Sequence, residues 1–260
     1  VTDGAIDNLA TLTGTNNAFT INVTDTTVSA SNLNALDAKT SAAINVTATA
    51  ITGTAADLIA TYAAKTAGTL TGLGSETVTV TSAGKTTVGT ASDLGLISFD
   101  ATSYLASHTD VLAALGSTGN TALTHYLDYG YSESRSTDTF SELSYIASYS
   151  DLITAFGTDG SAATSHFVSH GYSEGRSADN FDELGYVASY ADLITAIGAS
   201  ATGAATHYIN YGSTEGRTAT FDAAAYLANY ADLSAAFGSD QELAKQHYIN
   251  YGYAEGRTVA

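Results

Sequence analysis

Four copies of one motif, at spacings of 41, 41 and 40 residues, fix the organisation of more than half of this chain. The copies begin FDATSYLASHTDV at Phe99, FSELSYIASYSDL at Phe140, FDELGYVASYADL at Phe181 and FDAAAYLANYADL at Phe221. They close with HYLDYGYSESR, HFVSHGYSEGR, HYINYGSTEGR and HYINYGYAEGR. A constant period near 40 residues marks a repeat array, in which a single unit is too small to bury its apolar face and neighbours complete the core.

Each unit reads as three short helices. In the third copy Asp182 is placed to cap the first helix, with Phe181 and Tyr186 at the spacing of a hydrophobic staple. Asp192 is expected to cap a second helix that ends at Gly198. Ala204, Tyr208 and Tyr211 fall at i, i+4, i+7, which predicts a third helix with an inward Tyr-bearing face that stops at Gly212.

The first 98 residues are Thr-rich and β-branched. Short runs such as FTINVT, AINVTAT and TVTVT are followed by VSASNL, ITGTAADL and VGTASDL. Leu9, Leu33, Leu58 and Leu94 mark a looser repeat of strand, turn and short helix. The expected fold class is therefore an α+β repeat protein: a parallel β-solenoid-like region over 1–98, then all-helical units at 99–139, 140–180, 181–220 and 221–260. A β-sandwich with helical insertions is the competing reading of the first region. No flexible linker is evident at the junction, so the two parts are expected to stack.

Composition narrows the function. A net charge of −18 disfavours nucleic acid and anionic lipid, both of which need clustered Lys and Arg. The chain has no Cys, so disulfides and Cys-based metal sites are excluded. No run of about 18 apolar residues is present to span a membrane. AGKTT at 83–87 is not a phosphate loop, because Thr79 stands where the leading Gly is required. His166 and His170 form HxxxH, but no Glu follows His166 and the other copies carry Tyr129, Tyr211 and Tyr251 at the second place. His125, His166, His207 and His247 recur once per unit, and the expectation is a half-buried imidazole bonded to a carbonyl. No metal site is assigned, although scattered Asp residues are compatible with weak calcium binding. No nucleophile–base or paired-carboxylate constellation emerges, so an enzyme is not expected.

The Arg column is the most informative. The four Arg of the chain, Arg135, Arg176, Arg217 and Arg257, occupy one repeat position. A planar guanidinium there suits a clamp from each unit to the next. Its candidate partners are Asp110, Asp151, Asp192 and Asp232, or Glu133, Glu174, Glu215 and Glu255. The competing reading is a ligand groove between units, lined by these Arg with Tyr129, Tyr211 and Tyr251.

The pattern F-D-x-x-x-Y-[LIV]-A-x-x-x-D-[LV]…H-[YF]-x-x-[YH]-G-x-x-E-G-R resembles repeats of large type I-secreted surface proteins and adhesins of marine bacteria and cyanobacteria. The resemblance covers about 99–257. Related copies carry Pro before the Asp, where this chain has Thr109, Ser150, Ala191 and Ala231, and Ser134 replaces Gly in the first copy. The resemblance implies an extracellular location and no catalysis. The expected function is structural: self-association or attachment at the cell surface, as a surface layer, filament or adhesin segment. The alternative is a module that binds cell-surface polysaccharide.

Overall fold

The computed structural model describes residues 2–9, 11–13, 17–82, 84–117 and 119–259; Ala83 of the AGKTT stretch lies outside them. The protein is α+β, with 15 α-helices and two small sheets among the described residues. It forms two compact units, Val1–Thr139 and Phe140–Ala260.

In the first unit, strands β1 (Thr2–Gly4), β2 (Ile21–Val23), β4 (Ile44–Val46) and β6 (Leu70–Thr71) lie side by side in one parallel sheet. Strands β3 (Thr27–Ser29), β5 (Ala50–Gly53), β7 (Thr77–Val80) and β8 (Thr87–Thr90) form the second. The register stacks like on like: Ile21 on Ile44, Val23 on Val46, and Val28, Ile51 and Val78 in line. These side chains are all buried, because alternate residues of a strand face the same side and only the apolar set can leave water. Helices α1 (Ile6–Leu9), α2 (Ala30–Asp37) and α3 (Ala55–Ala67) follow alternate strands and contribute Leu9, Leu33 and Leu58 to the same core.

Five of the six strand pairs among the described residues are parallel. One pair departs from the parallel expectation: β7 and β8 are antiparallel. The six residues between them are too few for the crossover that parallel neighbours need, so a hairpin forms.

Each helical copy has the same order of elements. The first comprises α4 (Ala101–Ser107), α5 (Thr109–Leu115), α6 (Gly119–His125) and a π-helical turn, Tyr126–Gly130. The second has α7 (Glu142–Ala147), α8 (Ser150–Phe156), α9 (Gly160–His166) and the turn Phe167–Gly171. The third has α10 (Glu183–Ala188), α11 (Ala191–Ile197), α12 (Ala201–His207) and Tyr208–Gly212. The fourth has α13 (Ala223–Asn229), α14 (Ala231–Phe237), α15 (Gln241–His247) and Tyr248–Gly252.

The first copy packs on the sheets: Leu127 belongs to their core, and Leu123 and Tyr131 lie against it. Within the second unit, α12 contacts α7 and α15 contacts α10, so the third helix of one copy meets the first helix of the copy before.

Local chemistry explains the caps. Asp100, Asp182 and Asp222 accept amides of the following first turn, as the sequence leads one to expect. The Phe181 and Tyr186 rings stand 5.5 Å apart. Asp192 does not cap: Tyr190 holds that position, and Asp192 sits within the first turn of α11.

The third helices also depart from expectation. Each widens into a π-turn, closed by i to i−5 bonds such as Ser213 N to Tyr208 O at 2.9 Å. The wider turn rotates the following side chains off the α-helical face. Tyr129, Tyr211 and Tyr251 are consequently exposed rather than inward.

Candidate functional site

The recurring residues assemble two linked arrangements in every copy, and both close within the copy. In the first, a Tyr from the opening helix is buried and donates or accepts at a His Nδ1. The pairs are Tyr104–His125 at 3.0 Å, Tyr145–His166 at 2.9 Å, Tyr186–His207 at 2.9 Å and Tyr226–His247 at 3.0 Å. All four Tyr are fully buried. The hydroxyl is the natural donor, which leaves the neutral imidazole with its proton on Nε2. The expected carbonyl partner is thus replaced by a phenol. Burial pushes the four Tyr hydroxyls up to about 12 and lowers His125 and His166 from their usual value.

Glycine completes this arrangement. A Cβ at Gly130, Gly171, Gly212 or Gly252 would overlap the hydroxyl of Tyr104, Tyr145, Tyr186 or Tyr226 respectively. The Gly that closes each third helix is required for a close approach by a residue 26 positions earlier.

The second arrangement holds the Arg column. After the π-turn, the amides of Arg135, Arg176, Arg217 and Arg257 each return 2.9 Å to the carbonyl of the turn's Gly. A residue with positive φ, Gly175, Gly216, Gly256 or the lone non-Gly case Ser134, makes this reversal. The guanidinium then reaches back to the second helix of its own copy. Arg135 meets Asp110 at 2.9 Å and Glu133 at 2.7 Å; Arg176 meets Asp151 at 2.9 Å and Glu174 at 2.7 Å. Arg217 meets Asp192 at 2.8 Å and Glu215 at 2.7 Å; Arg257 meets Asp232 at 2.9 Å and Glu255 at 2.6 Å.

Three guanidinium groups lie over Tyr rings: Arg176 on Tyr149 at 4.9 Å, and Arg217 on Tyr190 and Arg257 on Tyr230 at 4.7 Å. In the first copy His108 replaces that Tyr, and its Nε2 lies 2.8 Å from Ser136 O. The Arg hydrogen bonds hold Asp151, Asp192 and Asp232 below the ordinary carboxylate range. Burial would raise Asp110, and Arg135 overcomes it.

The anticipated partners are therefore present, but the clamp from one unit to the next is not. Each Arg ties its own π-turn to its own second helix, because the turn folds the chain back before it can reach a neighbour. Each guanidinium is occupied within its copy, and Tyr129, Tyr211 and Tyr251 stand beside the His rings of their own copies.

Contacts between copies are made by other residues. Lys245, 8% exposed, bonds to Asp182 at 2.9 Å and Glu242 at 2.6 Å. Burial opposes its charge, but these carboxylates hold Lys245 above the usual lysine range. Ser144 donates to Glu183, whose carboxyl is raised by burial. Ile249 of the fourth copy joins the core around Tyr186 and Val187. Sequence alone offered one signal for this: Lys245 takes the place of Leu123, Thr164 and Ala205.

His166 and His170 stack with centroids 5.8 Å apart, and His170 bonds to Ser169 at 2.7 Å. No group of three His, Cys, Asp or Glu suited to a metal occurs among the described residues. No described helix is long and apolar enough to cross a membrane. No family model, curated protein or solved structure matches this chain.

Proposed function

We propose that this chain is a non-enzymatic structural segment of an extracellular bacterial surface protein, which associates with copies of itself or attaches at the cell surface. In this reading the parallel coils form a β-solenoid-like region, followed along the chain by four tandem helical units. One observation carries it: the residues that look catalytic in a single copy are engaged in the same internal geometry four times over. Each His meets a buried Tyr hydroxyl, and each Arg meets an Asp of its own copy. Repeated scaffolding of this kind presents a regular outer surface, which is what a surface layer, filament or adhesin stalk requires.

The acid-rich composition supports a role for divalent cations, since a charge of −18 resists close approach of copies until it is screened. The resemblance of the motif to repeats of secreted adhesins supports the location. Sedimentation velocity over a hundredfold range of protein concentration, with and without millimolar calcium, tests the self-association. Concentration-dependent oligomers, strengthened by calcium, are expected. A single monomeric species throughout, together with no retention on bacterial cells, would overturn the reading.

A further inference from the structure

Packing accounts for the buried aromatic rings but not for a second set at the surface. Tyr211 is 58% exposed and Tyr251 61% exposed, and neither hydroxyl has a hydrogen bond among the described residues. Each ring stands beside the His of its own copy, with centroids 5.5 and 5.6 Å apart. Around Tyr251 the surface closes into a pocket of about 300 Å³ with Phe237, Leu243, Gln246, His247 and Asn250. A pocket of about 230 Å³ occurs in the first copy, lined by Leu115, Thr121, Thr124, His125, Asp128 and Tyr129. Every lining residue of the fourth-copy pocket is 122 positions after its counterpart in the first, which is three repeat periods. The same site is built twice, around the same His and Tyr and otherwise from different side chains, so it belongs to the repeat and not to chance surface relief.

We infer that this pocket, set within the first and fourth helical copies, binds a pyranose ring of a neutral polysaccharide. The inference stands independently of self-association. An exposed phenol face offers a flat apolar platform for the C–H face of a sugar, and Phe237 and Leu243 extend it. The rim is polar. Gln246 and Asn250 carry amide donors and acceptors, and the His247 Nδ1 contact with Tyr226 leaves Nε2–H as the remaining imidazole donor. A purely apolar ligand would strip water from these groups without replacing it, whereas sugar hydroxyls supply the missing partners.

Charge selects the neutral class. No Lys or Arg lines the fourth-copy pocket, and the chain as a whole repels uronic acids and sulfated sugars. The copies are graded. In the first, Lys85 lies 4.9 Å over the Tyr129 ring, Asp128 is engaged by Ser82, and Tyr129 is only 39% exposed. In the second, His170 stands in place of the Tyr. The fourth copy therefore carries the open pocket and the third a comparably exposed Tyr beside its His, and two such platforms on one chain favour a polymer over a single sugar.

Binding of the full chain to immobilised dextran, a linear β-glucan and a mannan, with alginate as the acidic comparison, tests this directly. Saturable retention on at least one neutral polymer is expected, and none on alginate. Tyr211→Ala with Tyr251→Ala should weaken it at least about tenfold, since exposed rings at the centre of a contact carry most of its strength. The Tyr211→Phe, Tyr251→Phe variant should stay within a few-fold of the parent. Circular dichroism checks that the exposed substitutions leave the fold intact. Absence of retention on every neutral polymer, retention on alginate alone, or unchanged binding by the double Ala variant overturns the inference.

Discussion

Gly212→Ala should destabilise the second unit by about 2–3 kcal/mol, the cost typical of forcing an extra methyl into a closed core. The added Cβ has nowhere to go: it overlaps the Tyr186 hydroxyl and meets Tyr186 Cζ at 3.0 Å and Tyr208 Cδ2 at 3.1 Å. The same change at an exposed turn Gly would act only through backbone freedom. Tyr186→Phe alone removes the bond to His207 and should cost about 1 kcal/mol. Combined, the two substitutions should be less harmful than their sum by about 1 kcal/mol, because the hydroxyl that clashes with Cβ is gone. Denaturant unfolding of the four proteins measures this coupling. Strictly additive losses would mean that the Gly is needed for the turn itself and not for the Tyr above it.

Glu76→Ala should have a comparably large effect in the first unit. Glu76 is 2% exposed, accepts the Tyr62 hydroxyl on one oxygen, and takes the amides of Gly74 at 2.6 Å and Ser75 at 3.1 Å on the other. Burial, reinforced by this partner, raises the Tyr62 hydroxyl far above the usual phenol range. Truncation leaves three donors without their acceptor, and a loss of about 3 kcal/mol or more follows. Glu76→Gln keeps one carbonyl oxygen and should recover part of it. Native-state hydrogen exchange of the strand amides at 44–46 and 77–80 reads the unit separately. Protection unchanged by Glu76→Ala would show that the carboxylate is dispensable to this core.

The different fates of the sequence expectations have physical causes. Caps and staples were legible because they act over three to five residues, as at Asp182 and Phe181. Stacking of the short strands was legible in outline from the alternation of INVT and TVTV. The π-turn was not, because its Gly stands against a hydroxyl 26 positions away, an approach that no local pattern records. With the turn went the orientation of Tyr129, Tyr211 and Tyr251, which an unbroken α-helix would have turned inward. The Asp and Glu partners of the Arg column were identifiable from charge and register. Whether the pairs close within a copy or between copies depends on the backbone reversal at Ser134 and Gly216, which charge alone does not reveal. Glu76 left a signal of its own: the one charged residue in the otherwise uncharged stretch GLGSETVTV. The hairpin that makes β8 antiparallel follows from the shortness of 81–86, which sequence periodicity passes over.

The central claim is that the repeated His is held as part of a scaffold, with Nδ1 accepting a buried Tyr hydroxyl. Nitrogen-15 NMR of the four rings through a pH titration tests it most directly. The account predicts that the neutral ring of His125, His166, His207 and His247 carries its proton on Nε2, and that His125 and His166 gain their second proton only below the ordinary histidine value. For those two the sign follows from the lowered values: the neutral ring is favoured in the fold, and that contribution to stability is lost as pH falls below about 6.5, the value in an unfolded chain. A neutral ring with its proton on Nδ1 in any copy, or His125 or His166 doubly protonated at neutral pH, would contradict the claim and make the repeated histidines candidate reactive groups again.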